Sequence, residues 1–140
     1  MSWRLYRPRC IAVYEAQILR RLLEVGADPS APPSRALLAS IDNLLVREEG
    51  NGDFHNDSLS FVSSLPRDIG AIIASGVGLM TNDAQVELIL WAEGDSITYL
   101  ELEPFEGARR PIRMPRLESI GPYPDNVCED DDETNDPTSI

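Results

Sequence analysis

Residues 85–103 read QVELILWAEGDSITYLELE, and this stretch decides the fold. On one side of the turn Glu93-Gly94-Asp95, Val86, Leu88 and Leu90 alternate with polar or mixed positions, as in a half-buried strand. Ile89 and Trp91 make the opposite face partly apolar too. After the turn, Thr98, Leu100 and Leu102 fall on one face of a second strand, with Ile97, Tyr99 and Glu101 on the other. Two such runs across a tight Gly-containing turn predict an antiparallel hairpin.

Working outward, residues 70–80 (GAIIASGVGLM) carry three glycines, the mark of a bent or bulged strand, and Thr81-Asn82-Asp83-Ala84 reads as a turn. Residues 43–48 and 58–63 read as two further strands, separated by the turn chemistry of Glu49-Gly50-Asn51-Gly52-Asp53. Residues 105–121 leave room for one more edge strand around Pro111–Met114. At the other end, residues 10–26 place Ile11, Ile18, Leu22 and Val25 at helical spacing beside Leu19 and Leu23. Pro8 precedes this helix, Gly26 is read as its C′ glycine, and Arg20 and Glu24 are spaced to pair. Ser34 is placed to cap a short helix through Ser40.

The expected fold class is therefore α+β: one long N-terminal helix packed on an antiparallel sheet of four to five strands. The expected core is Ile18, Leu19, Leu22, Leu23, Leu45, Phe61, Val86, Leu88, Leu90, Leu100 and Leu102. Residues 1–124 read as a single domain. Residues 125–140 (DNVCEDDDETNDPTSI) read as a disordered acidic tail, with seven acids and no basic residue.

The chain of 140 residues carries a net charge of −12, and its 12 basic residues are all arginine. Setting the tail aside leaves those 12 arginines against 17 acids, a net of −5. A field of this sign repels nucleic acid and anionic membranes and attracts cationic surfaces, so the expected partner is a basic protein. No apolar leader follows Met1-Ser2-Trp3-Arg4, and no run approaches a membrane span. The expectation is a cytoplasmic protein with both thiols reduced, Cys10 packed at the start of the helix and Cys128 in the tail.

Catalytic signatures are sparse. The single histidine, His55, sits between Asp53 and Asp57, but the spacing matches neither a calcium loop nor a zinc site, so no metal or cofactor is expected. Gly76 and Gly78 do not complete a dinucleotide fingerprint, because Thr81 stands where a third glycine is needed. The carboxylates are more informative. Glu101 and Glu103 project from one face of their strand, with Glu87, Glu93 and Asp95 on or beside the neighbouring strand. Three outcomes are open for this cluster: a solvated sheet face, an acidic partner-binding patch, or a carboxylate pair using Glu101 and Glu103 for acid/base work. Arg109, Arg110, Arg113 and Arg116 form a basic run onto which the acidic tail could fold.

The layout also carries a resemblance. Arg7-Pro8…Glu15-x-x-Ile18-Leu19-x-x-Leu22-Leu23 precedes a strand meander that ends in Ile97-x-x-Leu100-Glu101-Leu102-Glu103 and Pro111-x-x-Met114-Pro115. Over residues 7–120 this resembles the small α+β immunity proteins encoded beside bacterial polymorphic toxins, and related uncharacterised families. The resemblance implies a non-catalytic, stoichiometric inhibitor of a toxin domain, and it transfers no individual residue role. The alternatives are a small carboxylate-dependent enzyme, or a structural subunit that oligomerises through a sheet edge.

Overall fold

A computed structural model describes residues 8–48, 58–62, 70–105 and 112–123. The hairpin that opens the sequence reading is the centre of the sheet. Strands β5 (Gln85–Glu93) and β6 (Ser96–Pro104) pair antiparallel, with Leu88 opposite Leu102 and Leu90 opposite Leu100. Gly94 takes φ 62° at the first turn position, a conformation that costs glycine little. On the other side of β5 lies β4 (Ala71–Leu79), joined to it through Thr81-Asn82-Asp83. That turn is closed by Met80 N–H donating to Ala84 O (2.9 Å) and Asp83 N–H to Met80 O (2.8 Å), with Asp83 at φ 69°.

Four further strands complete the sheet: β1 (Arg9–Cys10), β2 (Leu45–Glu48), β3 (Leu59–Val62) and β7 (Gly121–Pro122). The order is β1-β2-β3-β6-β5-β4-β7, and every pairing is antiparallel. Among the described residues the sheet thus has seven strands rather than the four or five expected. The extra two are the two-residue edges, too short to carry an alternating pattern. Each edge strand lies beside or contains a proline, Pro8 or Pro122, which suits an edge because proline has no N–H to give a further strand. The last edge strand is Gly121–Pro122; of the segment expected around Pro111–Met114, Ile112 makes a single bridge and Pro111 lies outside the described residues.

Helix α1 (Val13–Gly26) packs on β4, β5 and β7, and α2 (Arg35–Ser40) lies against β6. The long helix expected over residues 10–26 is shorter, 14 residues, and the short helix expected after Ser34 is present as the 6-residue α2. The α1 start shifts from Cys10 to Val13 because Arg9 and Cys10 pair with Val46 and Leu45 instead. Glu15 then fixes the start: its carboxylate accepts from Ala12 N–H (2.9 Å) and from both terminal nitrogens of Arg9 (2.6 and 3.0 Å). Gly26 is not a left-handed C′ residue. Its backbone lies against the Ser75 carbonyl, where a Cβ would overlap the oxygen. Ser34 caps α2 as expected, accepting from Leu37 N–H (3.0 Å). Arg20 pairs with Asp42 (2.9 Å) rather than Glu24, which faces Arg21.

The core forms between the helices and one face of the sheet. Ile18, Leu19, Leu22, Val86, Leu88, Leu90, Leu100 and Leu102 are wholly buried there, and Ile41, Val46, Ile112 and Ile120 join them. Leu45, expected inside, is exposed, and Val46 takes its place. Ile97 also moves inward. A register shift skips Thr98, since Trp91 faces Tyr99 while Ala92 faces Ile97, so two residues of β6 separate inward-pointing Ile97 and Leu100. Strand β4 is bulged too, between Ile72 and Ala74, rather than at its glycines. Gly76 and Gly78 instead admit close neighbours: a Cβ on Gly76 would stand 2.5 Å from Gly121 O and 2.9 Å from Leu22 Cδ1. The tail, residues 125–140, lies outside the described residues.

Candidate functional site: an acidic and aromatic sheet face

Both described helices cover the same side of the sheet, so the alternate residues of β4, β5 and β6 make up a second face. Its composition follows from register. One row runs Arg47–Ser60–Tyr99–Trp91–Ile72 across five strands. The next, about 7 Å along the strands, runs Glu101–Ile89–Ser75. The third runs Glu103–Glu87–Val77. An aromatic and aliphatic middle therefore grades into a patch of three carboxylates.

Glu87 and Glu103 are direct cross-strand partners, an arrangement in which like charges destabilise a sheet. Glu87 is half-buried, and no cation pairs with it among the described residues. Burial, reinforced by the nearby Glu101 charge, raises its carboxyl above the usual glutamate range. Glu101 is held differently: Trp91 donates its indole N–H to Glu101 Oε1 (3.2 Å). One bond thus ties the aromatic row to the acidic one. Glu103 is exposed, and Glu87 and Glu101 are half-buried. An open groove of about 720 Å³ and a smaller pocket of about 220 Å³ are both lined by other residues, except that Asp95 borders the smaller.

Of the five acids singled out in the sequence, Glu87, Glu101 and Glu103 are neighbours on the paired strands β5 and β6. Glu93 shares their face but lies at the far end of β5, about 20 Å from Glu87 at strand rise. Asp95 belongs to the helix side, where it accepts from the hydroxyl of Ser34 (2.6 Å) and so braces the α2 cap against the hairpin turn. Cys10, expected to pack, is exposed on the edge strand β1. His55 with Asp53 and Asp57, and Cys128, fall outside the described residues. Among the described residues, no group of three or more His, Cys, Asp or Glu side chains is placed to hold a metal ion. No described helix is long and apolar enough to cross a membrane.

Trp91, Tyr99 and Ile89 are the members of this face that charge counting passes over. Their signal lay in the alternation itself, which puts two aromatics on the side of the hairpin opposite the leucines. Comparison with protein-family models, curated proteins and solved structures finds no match, so a functional reading rests on the residues of this chain.

Proposed function

We propose that this chain is a non-catalytic binding module whose acidic and aromatic sheet face takes a cationic protein surface. The class of activity is that of an immunity protein: stoichiometric neutralisation of a basic toxin domain in the cytoplasm. The observation that supports it is the Glu87–Glu103 pair beside Glu101 and Trp91. Burial and the Glu101 charge already disfavour ionised Glu87 in the free protein. Arginines or lysines of a partner set against these carboxylates would relieve that repulsion, and the charged field would speed encounter. Trp91 and Tyr99 add the flat, low-entropy contact area that interfaces favour.

The test uses paired affinity columns carrying the wild-type chain and Glu87→Arg/Glu101→Arg. Extract from the cells that express the protein is passed over both. The reading expects a basic protein retained by the wild type in one-to-one ratio, released by raised salt, and lost from the variant column. Equal retention on both columns overturns it. A hydrolytic activity of the purified chain abolished by Glu101→Gln would move the assignment to a carboxylate-dependent enzyme.

A further inference from the structure

The smaller pocket lies on the helix side, where the β5–β6 turn meets the loop between α1 and α2. Its volume of about 220 Å³ is below the roughly 300–1,000 Å³ of sites for drug-sized ligands, so it admits a group of side-chain size. Leu23 of α1, Leu37 of α2 and Ile73 of β4 supply apolar wall, with Pro32 and Pro33 from the loop. Local features of the chain set these walls. The bulge in β4 leaves Ile73 without a partner in the β5 register, and a bulge re-aims a side chain off the regular alternation of a strand. Ile73 lines the pocket from there. The two prolines restrict the backbone of the loop wall. The turn ahead of them is closed on itself: the Asp28 carboxylate accepts from Ser30 N–H (2.9 Å) and from the Ser30 hydroxyl (2.8 Å), and Ala31 N–H donates to Asp28 O (2.9 Å).

The rim of this apolar pocket carries one charge, Asp95. Asp95 Oδ1 accepts from the Ser34 hydroxyl (2.6 Å), and Ser34 Oγ accepts in turn from Leu37 N–H (3.0 Å). Ser34 is thereby committed to the α2 cap. Asp95 Oδ2 has no hydrogen-bond or ion-pair partner among the described residues. An apolar pocket with a spare carboxylate oxygen at its mouth favours a cation on an apolar stem. A bare cation gains nothing from Leu23, Leu37 and Ile73, and a neutral alkyl group leaves Asp95 Oδ2 to water.

We infer that this pocket binds an alkylammonium group, its stem against Leu23, Leu37 and Ile73 and its ammonium donating to Asp95 Oδ2. A free amine and the lysine side chain of another protein share this chemistry. The inference is independent of the proposed function, because Asp95 belongs to the helix side and Glu87, Glu101 and Trp91 to the other face of the sheet.

The test titrates the full chain with n-butylamine, the lysine side chain cut at Cα, at neutral pH and low salt, and follows the backbone amides by NMR. Saturable shifts should fall on Ala31, Ser34, Leu37, Ile73, Gly94 and Asp95. n-Butanol, equal in length and uncharged, should bind at least roughly threefold more weakly. Asp95→Asn keeps an acceptor for the Ser34 hydroxyl and so the α2 cap, which unchanged amides outside the pocket verify. It should weaken n-butylamine at least roughly threefold and leave n-butanol as it was. Nα-acetyl-lysine N-methylamide separates the two sources. Affinity equal to that of n-butylamine supports the pocket as a seat for a protein's lysine, and loss of binding supports it as a site for a free amine. Four results overturn the inference: no saturable shift with n-butylamine, shifts centred on Glu87, Glu101 and Glu103, equal affinity for n-butylamine and n-butanol, or n-butylamine binding unchanged by Asp95→Asn.

Discussion

The two faces of the sheet are built by the same three strands and obey opposite rules. Inward, Leu88, Leu90, Leu100 and Leu102 meet leucine against leucine across β5 and β6, under Ile18, Leu19 and Leu22 of α1. Each contact there lowers the free energy of folding. Outward, the same register sets Glu87 against Glu103 and Ile89 against Glu101. A pleated strand gives no freedom to vary one face's spacing without the other, so the register that pairs the leucines also fixes which outer residues face each other. Residues that stabilise could have stood there.

Two carboxylates make the contrast sharper. Glu15 and Glu87 are both partly buried, yet they shift in opposite directions. For Glu15, burial pushes the carboxyl up, but the Arg9 hydrogen bonds and the Ala12 N–H outweigh it and hold the group below its usual range. For Glu87, burial and Glu101 act together and raise it. The Glu15 charge is matched to a cation, and the Glu87 charge faces burial and a like charge.

Substitutions separate the two faces by their effect on stability. Leu100→Ala removes a side chain at the centre of the covered face, and should cost about 2–5 kcal/mol in urea unfolding. A cost under about 1 kcal/mol would mean the core is not where the register places it. Gly76→Ala should cost about 1–3 kcal/mol, since the added methyl meets the Gly121 carbonyl and Leu22. Glu15→Gln should cost about 1 kcal/mol at neutral pH, allowing for solvent screening of Arg9. Its folded-state value is lowered, so the wild-type advantage is present above the unfolded glutamate range and fades as pH falls through the folded value. Glu87→Gln should act the other way and stabilise by about 0.2–1 kcal/mol at neutral pH. Here the folded-state value is raised, so the penalty is absent in acid and develops as pH rises through the unfolded and then the folded value. Unfolding followed from acid to neutral pH in both variants reads these opposite slopes.

Much of this arrangement is legible in the sequence, and the gaps have physical causes. The central hairpin, both turns of the meander and the Ser34 cap follow from local chemistry: alternation, positive-φ residues and a side-chain oxygen ahead of a helix. The edge strands did not, because two residues cannot show a period, and because Cys10 and Ile11 extend the apolar spacing of α1 outward. Leu44, Leu45 and Val46 are consecutive apolar residues, so nothing in them chooses which points inward. The misplacement of Ile97 came from the bulge at Thr98, which is set by pairing with β5. The carboxylate patch was readable as to Glu87, Glu101 and Glu103, whereas Asp95 was drawn to the helix side by Ser34, 61 residues away in the chain.

Under the proposed function, a cationic partner engages Glu87 and Glu103 together. The most direct measurement is the double variant Glu87→Gln/Glu103→Gln, followed both in urea unfolding and in binding to the basic protein retained by the wild-type column. The account predicts opposite signs: a more stable fold and at least tenfold weaker binding at low salt, about 1.4 kcal/mol. A variant that gains stability and binds as tightly as the wild type would contradict it.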